Sequence, residues 1–278
     1  MQELRQQYSF DGLLKLASLA RSTFYYQLGV LKAGDKHSQL KAMIKAMFER
    51  HKGRYGYRRI TAAIGQLGKR VNHKTVQRLM GELKLKSLVR PKKYKSFKGE
   101  VGQAAPNELN RQFEAAAPNE KWVTDVTEFK VAGEKLYLSP VLDLYNGEIV
   151  AYEINRRPPF ELVTSMLTKA FSRLGPADKP MLHSDQGWHY RMTAYRQMLQ
   201  ERGMVQSMSR KGNCHDNAAM ESFFGVLKSE FFYLNKFASV DQLEAGIADY
   251  IHYYNHDRIK LKLGGLSPVQ FRTQHLAA

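Results

Sequence analysis

The sequence of 278 residues is poor in cysteine, in long apolar runs and, over its first third, in acidic residues. Cys214 is the only cysteine, which excludes an intramolecular disulfide, and nothing in the chain points to an oxidising compartment. The longest apolar stretch near the N-terminus, residues 13–17, is interrupted by Lys15. It is too short for a signal-peptide core or a membrane span, so we expect a cytoplasmic protein.

Acidic residues are scarce only in the first part of the chain. Residues 1–100 hold 23 Lys or Arg and 6 Asp or Glu, whereas residues 101–278 hold 20 of each. The whole net charge of +17 therefore lies in the first third. Such a concentration is typical of a module that binds a polyanion, joined to a near-neutral second module. The alternative is a solvated basic surface without a specific partner.

Helical patterns in this basic part predict two DNA-binding modules of the helix-turn-helix type. Residues 10–29 have the pattern of two short helices around a tight turn, which predicts a first module over residues 1–34. A second module is predicted over residues 35–98, with Asn72 as an N-cap. Its apolar spacing predicts helices over residues 38–50, 57–67 and 72–80.

The last helix of a helix-turn-helix enters the major groove, so the helix after Asn72 is the candidate DNA-reading element. Its candidates for base or phosphate contact are Lys74, Thr75, Gln77 and Arg78. For each of them, a solvated helix face is the alternative. Residues 84–98 then mix basic and aromatic residues, and Pro91 discourages a continuous helix. We expect a strap along phosphates there, with contacts from Lys92, Lys93 and Lys95.

From residue 120 onward the pattern changes to strands alternating with helices. Residues 99–119 have the composition of a linker, which leaves residues 120–278 as one further domain. Turn signals at Ala132-Gly133 and Asn146-Gly147 divide three strands, predicted over residues 121–131, 135–145 and 148–155. A helix, a fourth strand at 180–185 and further helices predict an α/β fold with a central mixed sheet.

Three carboxylates, those of Asp125, Asp185 and Glu221, stand in segments whose neighbouring residues are largely apolar. Such segments hold an acid in a defined position, whereas most acids lie on a solvated surface. The pattern puts Asp125 in the middle of the first strand, Asp185 at the end of the fourth and Glu221 on a helix. A half-buried acid is costly unless a positive charge meets it. Converging carboxylates would give Mg²⁺ its oxygen ligands, and two ions about 4 Å apart serve in-line phosphodiester displacement. Asp143 and Asp249 are interpreted as ordinary paired or exposed acids.

Three ordered motifs around these acids resemble the Asp-Asp-Glu transposases of bacterial insertion sequences, which share a ribonuclease-H-like core with retroviral integrases. The motifs are residues 122–129, 183–187 and 212–224. The likeness is to the second-frame catalytic product of the insertion sequence three family, and residues 54–59 and 253–268 extend it over nearly the whole chain.

The resemblance implies a set of roles for individual residues. Asp125, Asp185 and Glu221 would bind two Mg²⁺ ions, with Mn²⁺ as a possible substitute, and catalyse the reaction. Lys228, two helical turns past Glu221, would contact DNA. Asn213, Asp216 and Asn217 would shape the loop that enters the Glu221 helix.

The resemblance also implies a reaction and its partners. Water would free a 3′-hydroxyl at an element end, and that hydroxyl would attack a second phosphodiester, without a covalent protein intermediate. A homo-oligomer at the bacterial nucleoid would hold terminal inverted repeats and target DNA. The active form would be a frameshift fusion to an upstream helix-turn-helix and leucine-zipper product. This chain shows no heptad run of its own, so dimerisation would need that part.

Other functions fit parts of the pattern. A DNA-binding regulator would need only the basic modules, which the intact acid trio disfavours. A nuclease of the same fold would cut RNA or branched DNA without joining strands, which the helix-turn-helix patterns disfavour. A zinc site of paired His and Cys is excluded by the single cysteine. Trp188 and His189, beside Asp185, either contact unpaired bases or pack locally.

Overall fold

The computed structural model describes residues 3–33, 35–89, 105–210 and 214–276. Three residues of the expected basic strap, Lys92, Lys93 and Lys95, lie outside the described residues, as does Asn213. Over the ranges that are described, no helix combines the length and the apolar composition needed to cross a membrane.

The described chain before residue 90 is helical, and side-chain caps begin two of its helices. The Ser9 Oγ accepts a hydrogen bond from the Gly12 N–H, and the Asn72 Oδ1 accepts one from the Lys74 N–H at 2.8 Å. The predicted N-cap at Asn72 is therefore confirmed. The helices are α1 (Phe10–Leu16), α2 (Arg21–Ala33), α3 (Ser38–Arg50), α4 (Tyr57–Gln66) and α5 (His73–Glu82).

Helices α3, α4 and α5 share a small apolar core. Its members recur at helical spacing, as the sequence predicts, and they include Ile44, Ile60, Ile64, Val76 and Leu79, all fully buried. Ile259, from the C-terminal part of the chain, belongs to the same cluster. The second helix-turn-helix module therefore packs directly against the C-terminal part.

The centre of the remaining chain is a six-stranded mixed sheet. Its strands are β1 (Lys121–Thr124), β2 (Thr127–Val131), β3 (Glu134–Asp143), β4 (Ile149–Asn155), β5 (Met181–Ser184) and β6 (Gln206–Met208). Strand β3 pairs antiparallel with β1, β2 and β4, and β1–β5 and β5–β6 are parallel pairs. A tight two-residue turn at Ala132-Gly133, with both residues at positive φ, closes the β2–β3 hairpin as predicted.

The first predicted strand is interrupted at Asp125, so the prediction that this residue lies in mid-strand is wrong. Strands β1 and β2 pair with the same edge of β3 in one register, which would place Asp125 opposite Pro140. The Pro140 carbonyl faces that edge, because it accepts a hydrogen bond from the Thr124 hydroxyl at 2.9 Å. Proline has no N–H to return the ladder bond, so pairing lapses there and frees the Asp125 backbone.

Helices cover both faces of the sheet. They are α6 (Phe160–Phe171), α7 (Trp188–Arg191), α8 (Thr193–Glu201), α9 (Ala218–Glu230), α10 (Val240–His256) and α11 (Pro268–Leu276). One core layer lies between the sheet and α9 with α10, and a second lies between the sheet and α6 with α8. The predicted α/β class, a mixed sheet with flanking helices after all-α modules, is confirmed.

The described end of the predicted linker packs on the sheet. Leu109 is 1% exposed within the first core layer, and the Ser207 hydroxyl accepts hydrogen bonds from the N–H groups of Glu108 and Leu109 at 3.0 Å each. The chain between residues 105 and 120 is thus held on the catalytic part. The division into domains stays a prediction.

Candidate active site

Asp125 and Asp185 stand side by side at the carboxyl ends of two neighbouring strands of the sheet. Strands β1 and β5 are parallel, with Val123 opposite His183, and each acid follows two residues after that pair. Adjacent strands lie about 4.8 Å apart, so the same offset brings the two carboxylates together at the carboxyl ends of neighbouring strands. Two of the three acids chosen from the sequence therefore share a site.

Each of these carboxylates is fixed by a backbone N–H next to it. Asp125 Oδ1 accepts a hydrogen bond from the Val126 N–H at 2.7 Å, and Asp185 Oδ1 accepts one from the Gly187 N–H at 2.8 Å. A Cβ at Gly187 would lie 2.9 Å from Asp185 Oδ1 and 3.3 Å from the Tyr190 ring. A side chain at residue 187 would therefore displace the Asp185 carboxylate from this position. Both carboxylates are half-buried and keep an oxygen for other partners.

The motif residue His183 has a structural role between two strands. It is fully buried, with Nδ1 2.8 Å from the Ser207 hydroxyl and Nε2 3.1 Å from the Ser209 hydroxyl. Burial lowers the pKa of His183 to about 4, so the ring is neutral at pH 7. These bonds tie β5, and with it Asp185, to β6 and to Ser209, the residue after it.

Helix α9 carries Glu221 in its first turn, toward the same sheet edge. Phe223, Phe224 and Leu227 anchor the helix in the first core layer. At its start, the Asn217 Nδ2 donates a hydrogen bond to the Thr124 carbonyl oxygen at 3.0 Å, one residue before Asp125. The N-terminus of α9 is thereby attached to the end of β1.

The charges of the other two acids act on Asp125. Burial raises the pKa of Asp125 well above its usual value, and the negative charges of Asp185 and Glu221 raise it further. The Val126 N–H and the positive charge of Lys228 oppose that rise. Burial also raises the pKa of Asp185. Partly buried acids of like charge repel each other, and a cation between them relieves that repulsion.

The donor set suits a hard cation. Three carboxylates without sulfur or imidazole ligands are typical of Mg²⁺, which prefers oxygen. Among the residues described, no group of three or more His, Cys, Asp or Glu side chains is gathered closely enough to hold a metal ion by itself. The assignment therefore rests on the shared sheet edge, the chemistry of the donors and their mutual repulsion.

Lys228 points back toward the acids. Its Nζ donates a hydrogen bond to the Thr127 hydroxyl at 2.7 Å and lies 5.3 Å from the centre of the Phe129 ring. Its charge also lowers the pKa of Asp125. The spacing of seven residues from Glu221 predicts the same helix face, and the structure places its amine near the acid site.

Asp216 holds the loop that enters α9. This fully buried carboxylate accepts hydrogen bonds at 2.9 Å from the side chains of Arg111, Arg210 and Asn107 and from the Arg210 N–H. The Arg210 side-chain hydrogen bond is the largest cause that lowers the pKa of Asp216 far below its usual value. Its partners could not be found from local pattern, because Asn107 and Arg111 lie in the predicted linker.

Tyr190 was missed by the sequence interpretation. It is 1% exposed, and the negative charges of both Asp125 and Asp185 act with burial to raise its pKa. Its hydroxyl has no hydrogen-bond partner in the described structure. The only signal in the sequence is that Tyr190 follows Asp185 by five residues, in the short segment that became α7.

The helix-turn-helix candidates share one surface. Lys74, Gln77 and Arg78 are exposed on α5 and Thr75 is half-exposed, while Val76, Leu79 and Met80 of the same helix are buried. Arg78 also forms an exposed ion pair with Glu82. The exposed side chains take no part in the apolar core of the module, and a helix that reads DNA needs such a face.

A buried ion cluster joins the second helix-turn-helix module to α9. The Glu230 carboxylate, at the end of α9, accepts hydrogen bonds from Arg258, Arg59 and Tyr250, and the Glu230 backbone carbonyl accepts one from the Arg54 Nε at 3.0 Å. Arg54 and Arg59 begin and end the basic motif of residues 54–59. The cluster was not predicted, although an acid at a helix C-terminus, where the dipole disfavours it, was a signal.

Trp188 and His189 differ in exposure. His189 is 7% exposed, and its Nε2 lies 3.2 Å from the Pro158 carbonyl oxygen, so it packs locally. Trp188 is 48% exposed and stacks on the His189 ring.

A mixed sheet that brings two acids to neighbouring strand ends, with a third on a packed helix, defines an integrase-type catalytic core. Consistent with this, the integrase core domain family matches residues 115–214 and a second family of that description matches residues 221–276. The HTH-like domain family matches residues 35–93.

Known transposases resemble the chain along its length. A transposase for insertion sequence element IS150 of Escherichia coli is 54% identical over 99% of this chain and 97% of that protein. The transposase InsF for insertion sequence IS3A of the same species is 30% identical over 98% and 96%. The HTLV-2 integrase catalytic core domain, solved in complex with magnesium, covers 56% of this chain and 98% of its own at 19% identity, with a TM-score of 0.45.

The chain belongs to the IS3 family of insertion-sequence transposases, with an integrase-like catalytic core. The resemblance seen in the sequence is thereby confirmed, and so is a function in DNA transposition. A transposase of this family is an enzyme that cleaves DNA and transfers strands, and it binds DNA.

Proposed function

We propose that this transposase nicks DNA at element ends and joins the freed 3′-hydroxyl to a second phosphodiester at one divalent-metal site built from Asp125, Asp185 and Glu221. The observation that carries the proposal is the adjacency of β1 and β5, which sets two acids at neighbouring strand ends. The action of the Asp185 and Glu221 charges on Asp125 supports membership of the third acid.

The chain's own residues hold and balance this site. The Val126 and Gly187 N–H groups each fix one carboxylate oxygen, and the other oxygens remain for ligation. When bound, a pair of Mg²⁺ or Mn²⁺ ions would activate the attacking oxygen and stabilise the leaving oxygen. Lys228 offsets part of the negative charge, and Asn217 keeps α9 against the end of β1.

The proposed DNA contacts divide between the two parts of the chain. The exposed face of α5 would read the terminal repeat through Lys74, Thr75, Gln77 and Arg78, supported by its exposure and by the module's basic charge. Lys92, Lys93 and Lys95 would bind phosphates, from composition alone. Lys228 would meet the DNA beside the scissile bond, supported by its nearness to Asp125.

The test separates chemistry from binding. Asp125→Asn and Glu221→Gln keep the size of each side chain and remove one charge from the site. We expect both variants to lose at least 100-fold in Mg²⁺-dependent nicking and joining of labelled end DNA, because each metal ligand set loses an anion. Their affinity for the same DNA in EDTA should stay within about threefold, since α5 and the basic segments are untouched.

Matched controls use the same chemical changes on exposed acids of α10. Asp249→Asn and Glu244→Gln should retain both nicking and joining. Joining at the wild-type rate by Asp125→Asn or Glu221→Gln would remove that residue from the site. Scoring nicked and joined products separately also distinguishes a transposase from a nuclease that only cuts.

A frameshift fusion to an upstream helix-turn-helix and leucine-zipper product would complete the oligomer. Membership of the IS3 family supports this proposal. Light scattering of the chain alone and of the fused product would test this, and the same number of chains per particle in both would refute it.

A further inference from the structure

Trp188 presents an aromatic face beside the acid site. Its side chain is 48% exposed, whereas Trp122, the other tryptophan, is fully buried. It begins α7, three residues after Asp185, directly beyond the Gly187 turn. A large aromatic side chain therefore stands half in solvent next to an acid that is proposed to be catalytic.

The indole is held in place by a buried support. Its ring lies 3.8 Å from the His189 ring, centre to centre, at an interplanar angle of 29°. His189 is itself 7% exposed, and its Nε2 lies 3.2 Å from the Pro158 carbonyl oxygen. Because a carbonyl oxygen only accepts, that nitrogen carries the hydrogen, which fixes the ring. One face of the indole is thus backed by a fixed ring.

The support removes a cost of binding. A free tryptophan side chain loses rotational freedom when it stacks on a ligand, whereas an indole already stacked on His189 is ordered beforehand. In the described part of the chain, His189 is the only aromatic ring stacked on Trp188. An ordered, half-exposed indole beside the reaction site is suited to stack on a flat ring, and that ring needs no charge to bind.

We propose that Trp188 stacks on an unpaired base next to the scissile phosphate and so positions the DNA strand end at the acid site. Nucleobases are the flat groups of the substrate, and every base offers a π-face regardless of sequence. Inside a duplex both faces of a base are covered by its neighbours, so the occupant is a base that is frayed or flipped from the end. The inference rests on the proposed function of that site.

Stacking of one base on an aromatic side chain contributes about 1–3 kcal/mol, equivalent to about 5- to 150-fold. We expect Trp188→Leu to lower the joining rate by a factor in that range. Trp188→Phe keeps a π-face and should retain most of the rate. Because stacking neutralises no phosphate, the salt dependence of DNA binding should not change in either variant.

The decisive readout needs no reaction. The probe is an end DNA with an unpaired 2-aminopurine beside the scissile phosphate, mixed with the full chain in EDTA so that no cleavage occurs. Stacking on an aromatic ring quenches 2-aminopurine fluorescence. We expect quenching with wild type and Trp188→Phe and its loss with Trp188→Leu, each measured at a protein concentration that saturates the DNA.

Tyr233→Leu is the matched control, since Tyr233 is 52% exposed but lies beyond the end of α9. It should keep the quenching. Retained quenching in Trp188→Leu, or loss of quenching in both the Phe and the Leu variants, would overturn the inference. If Asp125→Asn keeps joining, the proposed active site fails instead, so the two failures are distinguishable.

Discussion

The sharpest stability prediction concerns Glu230, whose side chain is 3% exposed at the end of α9. Arg258 grips the carboxylate with two hydrogen bonds, of 2.8 Å to Oε2 and 2.7 Å to Oε1. Arg59 and Tyr250 each add one at 3.0 Å. Replacing Glu230 with Gln keeps the volume, removes the charge and sets an NH₂ donor against other donors.

The expected cost follows from what remains buried. The Arg258 side chain is 5% exposed, so Glu230→Gln leaves an arginine charge enclosed without its counter-ion. Removing one partner of a buried ion pair costs about 3–5 kcal/mol, out of a typical total stability of about 5–15 kcal/mol. The variant should therefore unfold at markedly lower urea concentration.

Urea unfolding at pH 7, followed by circular dichroism, measures the effect. Glu49→Gln is the matched control, because it makes the same substitution in an exposed ion pair. Glu49 lies 3.9 Å from Lys45, and both side chains are 64% exposed. An exposed pair one helical turn apart contributes about 0.5 kcal/mol or less. A loss below about 1 kcal/mol for Glu230→Gln would refute the assignment of the cluster as a stabilising junction.

The pH dependence provides a second check on Glu230. Burial raises the pKa of Glu230, but hydrogen bonds and charges from Arg258 and Arg59 outweigh it and leave the pKa below the usual 4.5. A carboxyl group with a lowered folded pKa stabilises the protein above its unfolded pKa, and that contribution is lost as the pH falls through the folded value. The difference between wild type and Glu230→Gln should shrink below about pH 4.5.

Three further predictions concern other parts of the chain. Burial lowers the pKa of Lys260 from 10.5 to about 7, so the folded chain holds fewer protons than the unfolded one between those values, and stability should rise with pH there. Lys260→Met should remove this rise, which is about 1.4 kcal/mol per pH unit at most, in urea titrations between pH 7 and 9; an unchanged slope would contradict it. In α5, Lys74→Gln should reduce the salt slope of DNA binding by about 0.9, whereas Gln77→Ala should change sequence preference at constant slope; equal slopes for both would argue against a phosphate contact. Asp216→Asn should cost about 1–3 kcal/mol and slow joining, because Arg210 loses its buried partner; unaffected joining would separate this loop from the site.

Much of the fold follows from local pattern. Helical spacing of apolar residues correctly predicted α3 over residues 38–50, and Asn72 correctly predicted the start of α5. The turn residues Ala132-Gly133 predicted a hairpin because a tight two-residue turn favours positive φ. Local pattern failed at Asp125, where β-branched neighbours predicted a continuous strand.

The reason for that failure lies in a distant residue. Pro140, on the partner strand, lacks the N–H that the ladder needs opposite Asp125. No feature within residues 121–131 records which residue of β3 will stand there. The same limit hid the partners of Glu230, since Arg54, Arg59 and Arg258 come from segments far apart in the chain.

The sequence by itself determined which segments form helices or strands, where the positive charge lies and which acids are presented, because periodicity, capping and charge are properties of neighbouring residues. Only the tertiary structure decided that Asp125 and Asp185 meet, through the parallel register of β1 and β5. It also decided that the helix-turn-helix module rests on the end of the Glu221 helix. Strand register and buried ion pairs join residues tens to hundreds of positions apart, so burial and pairing across the whole chain select them.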